Sequence, residues 1–378
     1  MRPVLCLFLL VGCEALDGKD DSGDTATSSA TAATFTGEAG WVISAHPCDE
    51  NRTDAWMWED SRTAYAGCGQ GAVGRGLYVS TDGGLTWGAP TTDPPGLLDT
   101  WRVLDVRRHG DGLLYVSGAD TDSLDAVIAL DTSGPAWTLA KTVFTRTDQI
   151  GFSFQVAHFL RDDSGRAFGE SLTGADVIFR ESDEDPWQSI GSGWADDGGG
   201  YQILSMDQRG TKFYGSGSTI ADNPKVFLPG DAPDSLEVVT LSTDFTGELW
   251  GVDAVTDDRI IAGGVDQVAN VGVVFSSGSN PSDVDDWVQY RVDTLIPGFS
   301  WIRGVCGQGS NVVAVGERQP LSSGTGIVLY SSDNGRSFAD VTDGAITASS
   351  VSRCTFLADG RVAVAGAGGY VGLYFHGG

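Results

Sequence analysis

Chemistry in this chain would have to come from carboxylates. Asp and Glu number 41 and 10, against 19 Arg and 4 Lys, and the net charge is −28. Hydrolysis by two carboxylates requires one particular pair of acids at a set separation, and so many aspartates single out no pair. Such a surface repels nucleic acid and anionic lipid, which excludes both as partners, and it favours solubility or the capture of a cationic or metal-bridged ligand. The four histidines (His46, His109, His158, His376) are scattered and no CxxC occurs, so no metal centre is expected. The run Asp120-Thr-Asp122-Ser-Leu-Asp125 could hold calcium, but it lacks EF-hand spacing and its glycine, and no other cofactor is implied. Nucleophile-elbow, P-loop and HExxH patterns do not occur. The residues with the best claim on a ligand are Glu317 and Arg318, adjacent in a long polar loop, and Trp56 and Trp194, which fall outside the aromatic pattern described next.

That pattern fixes the elements. Trp87, Trp137, Trp187 and Trp287 keep a period of fifty residues, with the missing rung near Leu236, and Trp101, Phe152, Tyr201, Trp250 and Trp301 run beside them. A repeat of this length reads as a unit too small to bury its apolar face alone. Each unit opens with an aromatic and alternating apolar residues, continues with a buried run closed by glycine (Gly118, Gly263, Gly316, Gly366), adds a third run, and ends in the tryptophan strand. The chain therefore reads as all-β: a seven-bladed β-propeller of four-stranded antiparallel blades over residues 38–378. The last unit offers only three strands, Ser350–Phe356, Arg361–Gly366 and Tyr370–Phe375. Gly40-Trp41-Val-Ile-Ser-Ala-His46 is expected to supply the fourth and close the ring. Loops between second and third strands (Ala119–Asp125, Glu170–Asp176, Ser216–Lys225, Val265–Val271, Glu317–Gly326) are expected to ring the channel mouth, and the second aromatic ladder to wedge between blades.

The turn before the tryptophan carries a family resemblance. Ser80-Thr-Asp82-Gly-Gly84-Leu-Thr86-Trp87 is similar to the Asp-box of sialidases and related BNR-repeat propellers, and Ser331-Ser-Asp333-Asn-Gly335-Arg-Ser337-Phe338 resembles a second copy. The resemblance implies structural hairpins lying away from the ligand face, so these residues are not proposed as catalytic. It also invites a test for enzyme chemistry. The Arg-Ile-Pro motif of sialidases is absent; Arg102, Arg303 and Arg353 lie near inner-strand starts, but Arg102 and Arg303 differ in register by one place, which sends side chains to opposite faces. A three-arginine clamp is not expected. The unit pattern also resembles the Ycf48-type propellers that assist photosystem assembly; those use a basic patch, and this chain is acidic.

With Cys6 in the leader and Cys13 set aside for lipidation, Cys48, Cys68, Cys306 and Cys354 remain, an even number that suggests two disulfides. Blade topology favours Cys48–Cys68 and Cys306–Cys354, with Cys48–Cys354 the main competitor. The leader, residues 1–12, carries Arg2 and a short apolar run, and Leu10-Val11-Gly12-Cys13 resembles the lipobox of bacterial lipoproteins, which implies lipidation of Cys13. Residues 13–37 read as a flexible acidic, Ser/Thr/Ala-rich tether. The expectation is an exported, monomeric propeller, lipid-anchored at the bacterial outer membrane or cell surface with no other membrane contact. It would act as a non-catalytic binding or scaffolding module for a protein or carbohydrate. The alternative is a sialidase-like or other glycoside hydrolase.

Overall fold

The computed structural model describes residues 40–44, 48, 53–70, 73–119, 125–145, 156–171, 177–189, 201–219, 223–230, 236–242, 246–318, 324–342, 344, 346, 348–367 and 371–375. Seven antiparallel sheets follow one another in a ring, and no α-helix occurs among the described residues. The inner strands are Thr53–Trp58, Arg102–Arg108, Val156–Arg161, Tyr201–Arg209, Gly247–Thr256, Ser300–Gln308 and Val351–Phe356, which begin blades one to seven. The protein is thus a seven-bladed β-propeller. Second and third strands are sandwiched between neighbouring blades on both faces, so they read as continuous apolar runs; Ile260, Ile261, Val273 and Val274 are all fully buried. Each such side chain contributes about 1.5–3 kcal/mol. Outer strands such as Trp287–Arg291 hold no fully buried residue.

Blade one departs from the pattern. Its fourth strand is reduced to a single bridge, Val79 to Gly88, and Thr92–Asp93 instead joins the outer edge of blade two, parallel to Trp137 and Thr138. Elsewhere the tryptophan period marks fourth strands as expected: Trp137 and Trp287 open theirs, Trp187 immediately precedes one, and Leu236 holds the missing rung.

All seven inner strands carry a register shift at the same place, leaving Asp54, Leu104, Ala157, Leu204, Trp250, Arg303 and Ser352 as the extra residue of each bulge. The glycines that close the second strands are explained by this bulge. A Cβ on Gly118, Gly264, Gly316 or Gly366 would lie 1.9–2.1 Å from a carbonyl oxygen of the inner strand beside it. In blade five the residue under this constraint is Gly264, one place after the Gly263 that closes the run in sequence.

The ring closes as expected. Gly40–Ser44 pairs antiparallel with Val371–Phe375, Gly40 opposite Phe375, which completes blade seven from both ends of the fold. Side chains reinforce the seam: Arg353 donates to the Asp54 carbonyl at 2.9 and 3.1 Å, Arg361 to the Ser61 carbonyl at 3.0 Å, and Trp41 Nε1 to the Val341 carbonyl at 3.0 Å. Both favoured disulfides are present, Cys48–Cys68 and Cys306–Cys354, with Cα separations of 5.3 and 5.8 Å. The second joins the inner strands of blades six and seven.

The two turns Ser80–Trp87 and Ser331–Phe338 are built alike. In each, the serine hydroxyl accepts the glycine amide at 2.9 Å (Gly84, Gly335), and the aspartate accepts two further amides and a hydroxyl, Thr86 or Ser337, at 2.6 Å. Gly84 and Gly335 adopt φ of 81° and 78°, the left-handed region that favours glycine. The Ser337 hydroxyl and the neighbouring amides hold the Asp333 carboxyl down, to about 2. The aromatic that follows packs inward: Trp87 lies 5.7 Å from Trp56 of its own blade, and Phe338 lies 4.8 Å from Tyr290 of blade five.

Candidate functional site

Antiparallel blades place the second-to-third-strand loops and the blade-to-blade links on one face, opposite the two turns above. Most of those loops lie outside the described residues; residues 267–270 of blade five are described and form a tight turn. Next to them, Ser300 N donates to the Asn270 carbonyl at 3.1 Å, so the blade-five turn and the entry to blade six form one surface. Val268 and Phe299 stand exposed on it, at 77% and 56%.

Beneath lies a four-residue cluster. The Trp250 and Trp301 rings meet edge to face at 5.3 Å, and the Arg303 guanidinium sits 4.2 Å and 4.7 Å from their centroids. Glu317, buried at the end of its strand, takes Arg303 Nε and Nη2 at 3.0 and 2.6 Å. Glu248 accepts Trp250 Nε1 at 2.9 Å, while Trp301 Nε1 has no hydrogen-bond partner. The bulges make the cluster possible: Trp250 and Arg303 are the extra residues of adjacent inner strands, so both escape the in–out alternation. The second aromatic ladder therefore packs between blades here, as expected.

The other ligand candidates fare differently. Glu317 serves Arg303, and Arg318 forms an exposed ion pair with Asp340 at 3.3 Å. Trp56 does not offer a free ring. It packs with Trp58 and Trp87, against Leu357, Ala363 and Leu373 of blade seven. Trp194, the Asp120–Asp125 run apart from Asp125, and Cys13 lie outside the described residues. Arg102, Arg303 and Arg353 do not converge on one point: Arg102 faces the Asp54 carboxylate at 3.6 Å, Arg353 the Asp54 carbonyl, and Arg303 Glu317. No group of three metal-ligating side chains occurs among the described residues.

A second site, which no sequence motif marks, is the channel itself. Residues of all seven blades line a cavity of about 290 Å³. Arg107 crosses the front of blade three, pairing with Asp105 at 2.9 Å and donating to the Met206 carbonyl at 3.1 Å, with Asp207 at 3.7 Å. Three aspartates fasten neighbouring inner strands by accepting a backbone amide: Asp105 from Phe159 (3.1 Å), Asp207 from Ala254 (2.9 Å) and Asp253 from Gly307. Asp253 is buried beside Asp207. Burial and the Asp207 charge push the Asp253 carboxyl up, to about 8.

No protein-family model matches the sequence, and no curated protein matches it. Among solved structures the fold resembles Ycf48 from Cyanidioschyzon merolae (15% identity, 89% of this chain and 98% of that one, TM-score 0.60). It also resembles Ycf48 bound to D1 peptide (13%, 91% and 97%, 0.59) and a streptogramin B lyase (11%, 89% and 97%, 0.57). At these identities the likeness establishes the propeller and nothing finer.

Proposed function

We propose that this propeller is a non-catalytic binding or scaffolding module that docks a protein segment on its mouth face over blades five and six. The observation that carries the reading is the Trp250–Arg303–Trp301 stack pinned by buried Glu317, with Val268 and Phe299 exposed at the adjoining strand ends. Rigid aromatic and arginine groups are the side chains that dominate protein interfaces, and this cluster is held in place before any partner arrives. Structural neighbours support the same reading: Ycf48 bound to D1 peptide, the WD40 propeller domain of Doa1 and the Mitotic Checkpoint Complex. The turns at Asp82 and Asp333 are read as Asp-boxes that brace the opposite face. The lipobox-like start supports an envelope lipoprotein anchored through Cys13 and held off the membrane by residues 14–37, with carbohydrate the alternative ligand.

The test is a photo-crosslinking amino acid placed at Phe299, with Leu85 on the opposite face as control. A peptide adduct formed from position 299 and absent from position 85 supports the reading. Equal adducts from both, or a purely glycan adduct, refute it. Acylation of Cys13, lost in C13S, tests the anchor separately.

A further inference from the structure

We propose that the segment docked over blades five and six is basic: it sets a lysine or arginine against Glu248, beside the apolar side chain that covers Val268 and Phe299. The inference rests on the docking reading above and names the chemistry of the partner. Backbone hydrogen bonds place three stretches side by side at this end of the two blades. Gln267 N donates to the Thr246 carbonyl at 2.8 Å, and Ser300 N donates to the Asn270 carbonyl at 3.1 Å. The start of the blade-five inner strand, with Glu248 and Trp250, thus adjoins the turn that carries Val268. That turn in its own right adjoins the entry to blade six, with Phe299 and Trp301.

The charges of this surface select the partner. Among the described residues, each arginine at the mouth end of blades five and six is already matched by an acid. Arg291 lies against Asp266 and Asp293 at 3.1 and 3.3 Å, Arg303 is held by Glu317 at 2.6 Å, and Arg318 pairs with Asp340 at 3.3 Å. Glu248 has no such match among the described residues. Half-buried, it takes its one hydrogen bond there from a neutral donor, Trp250 Nε1, at 2.9 Å. A partner that covers Val268 and Phe299 also takes Glu248 out of water. Without a cation, that step buries an unpaired carboxylate and opposes binding. With a lysine or arginine on the arriving segment, the same step forms an ion pair next to an apolar contact. Attraction to a chain of net charge −28 also speeds the encounter. A second copy of this chain brings the same negative charge, and an acidic segment is repelled. The acid is oriented before the partner arrives, because the indole that holds it stacks on Arg303 and Trp301.

The test is selection of a random-peptide phage library on the whole chain, with F299D as the counter-selection. Affinities are then measured on synthetic copies of the selected peptides. The expected peptides share an apolar residue with a lysine or arginine close to it, and they bind more weakly as salt is added. E248Q, whose amide oxygen still accepts Trp250 Nε1, is expected to weaken them about fivefold. Replacing the peptide's base by a neutral residue is expected to give the same loss, with no further loss when both changes are combined. E248K is expected to prefer a peptide in which that base is replaced by glutamate. D285N, at the other end of blade five, is expected to change nothing. Peptides that need Phe299 yet share no base, or that E248Q leaves at full affinity, overturn this inference and leave the docking reading standing. A library that yields no Phe299-dependent peptide overturns both. Self-association of the chain that F299D abolishes also overturns the inference, because a second copy is then the occupant.

Discussion

The Arg353 guanidinium donates twice to the backbone carbonyl of Asp54, a residue 299 positions away. Inner strands of the last and first blades are thus joined directly, in addition to the outer-edge pairing of Gly40–Ser44 with Val371–Phe375. Replacing Arg353 by alanine removes two charge-assisted bonds at the seam. A loss of about 1.5–3 kcal/mol is expected, read as a lower urea midpoint in one transition that stays cooperative.

Arg303 and Glu317 form a pair in which the acid is buried and the base is partly exposed. R303M strands the Glu317 carboxylate in the protein and is expected to cost about 2–4 kcal/mol, whereas R303M/E317Q together recover most of that loss. The same variants separate Trp250 and Trp301 from their cation, so tryptophan emission should shift in both, whatever the stability.

The Asp253 carboxyl is raised above its unfolded value of 3.8 by burial and by Asp207. The folded state therefore holds a proton that the unfolded state has lost, so this group's contribution is present at acid pH and declines as pH rises towards about 8. D253N is expected to raise the melting temperature at pH 8 and to leave it nearly unchanged at pH 4. Melting curves at the two pH values decide the point.

The opposite sign applies to Asp333, whose folded value is depressed from 3.8 to about 2. Its stabilisation is present above about pH 4 and fades as pH falls through 2. Because the turn is largely exposed, the effect is discounted to about 1 kcal/mol. D333N should flatten the acid limb of a stability-versus-pH curve by that amount.

Cys306–Cys354 closes a loop with a sequence separation of 48 residues. The chain-entropy relation puts its contribution at about 4 kcal/mol. C306A/C354A should lower stability by roughly 2–4 kcal/mol with the same fold by circular dichroism. Non-reducing peptide mapping should return this pair and Cys48–Cys68, and no Cys48–Cys354.

The architecture was legible because it is written in repetition. A fifty-residue aromatic period, middle strands apolar on both faces, and a final unit one strand short together specify the ring and its closure. Position within the repeat was enough to pair the cysteines. The bulges were not legible, since a one-residue insertion shared by every unit leaves the period intact and announces itself only through glycines such as Gly118 and Gly316. That is why Arg102 and Arg303 were read as one place apart, whereas the register makes Arg102 equivalent to Trp301 and puts Arg303 two places further on, at the bulge, and why the Trp250–Arg303–Trp301 stack could not be foreseen. Trp56 is a related case: a tryptophan outside the ladders looks spare, yet it packs with Trp58 and Trp87 against blade seven. The Asp207–Asp253 contact is invisible in sequence because 46 residues separate two acids among 41 aspartates.

Gly40 stands directly across from Phe375 in the sheet, so the polypeptide enters and leaves the folded body side by side. A short glycine-rich bridge could span that gap, and new ends could be opened in a surface connection between two blades elsewhere. Opened between blades, such a rearranged protein would build every sheet from one continuous stretch. Comparing its refolding rate with that of the parent would show whether uniting the two original ends is the slow event in assembling the circle.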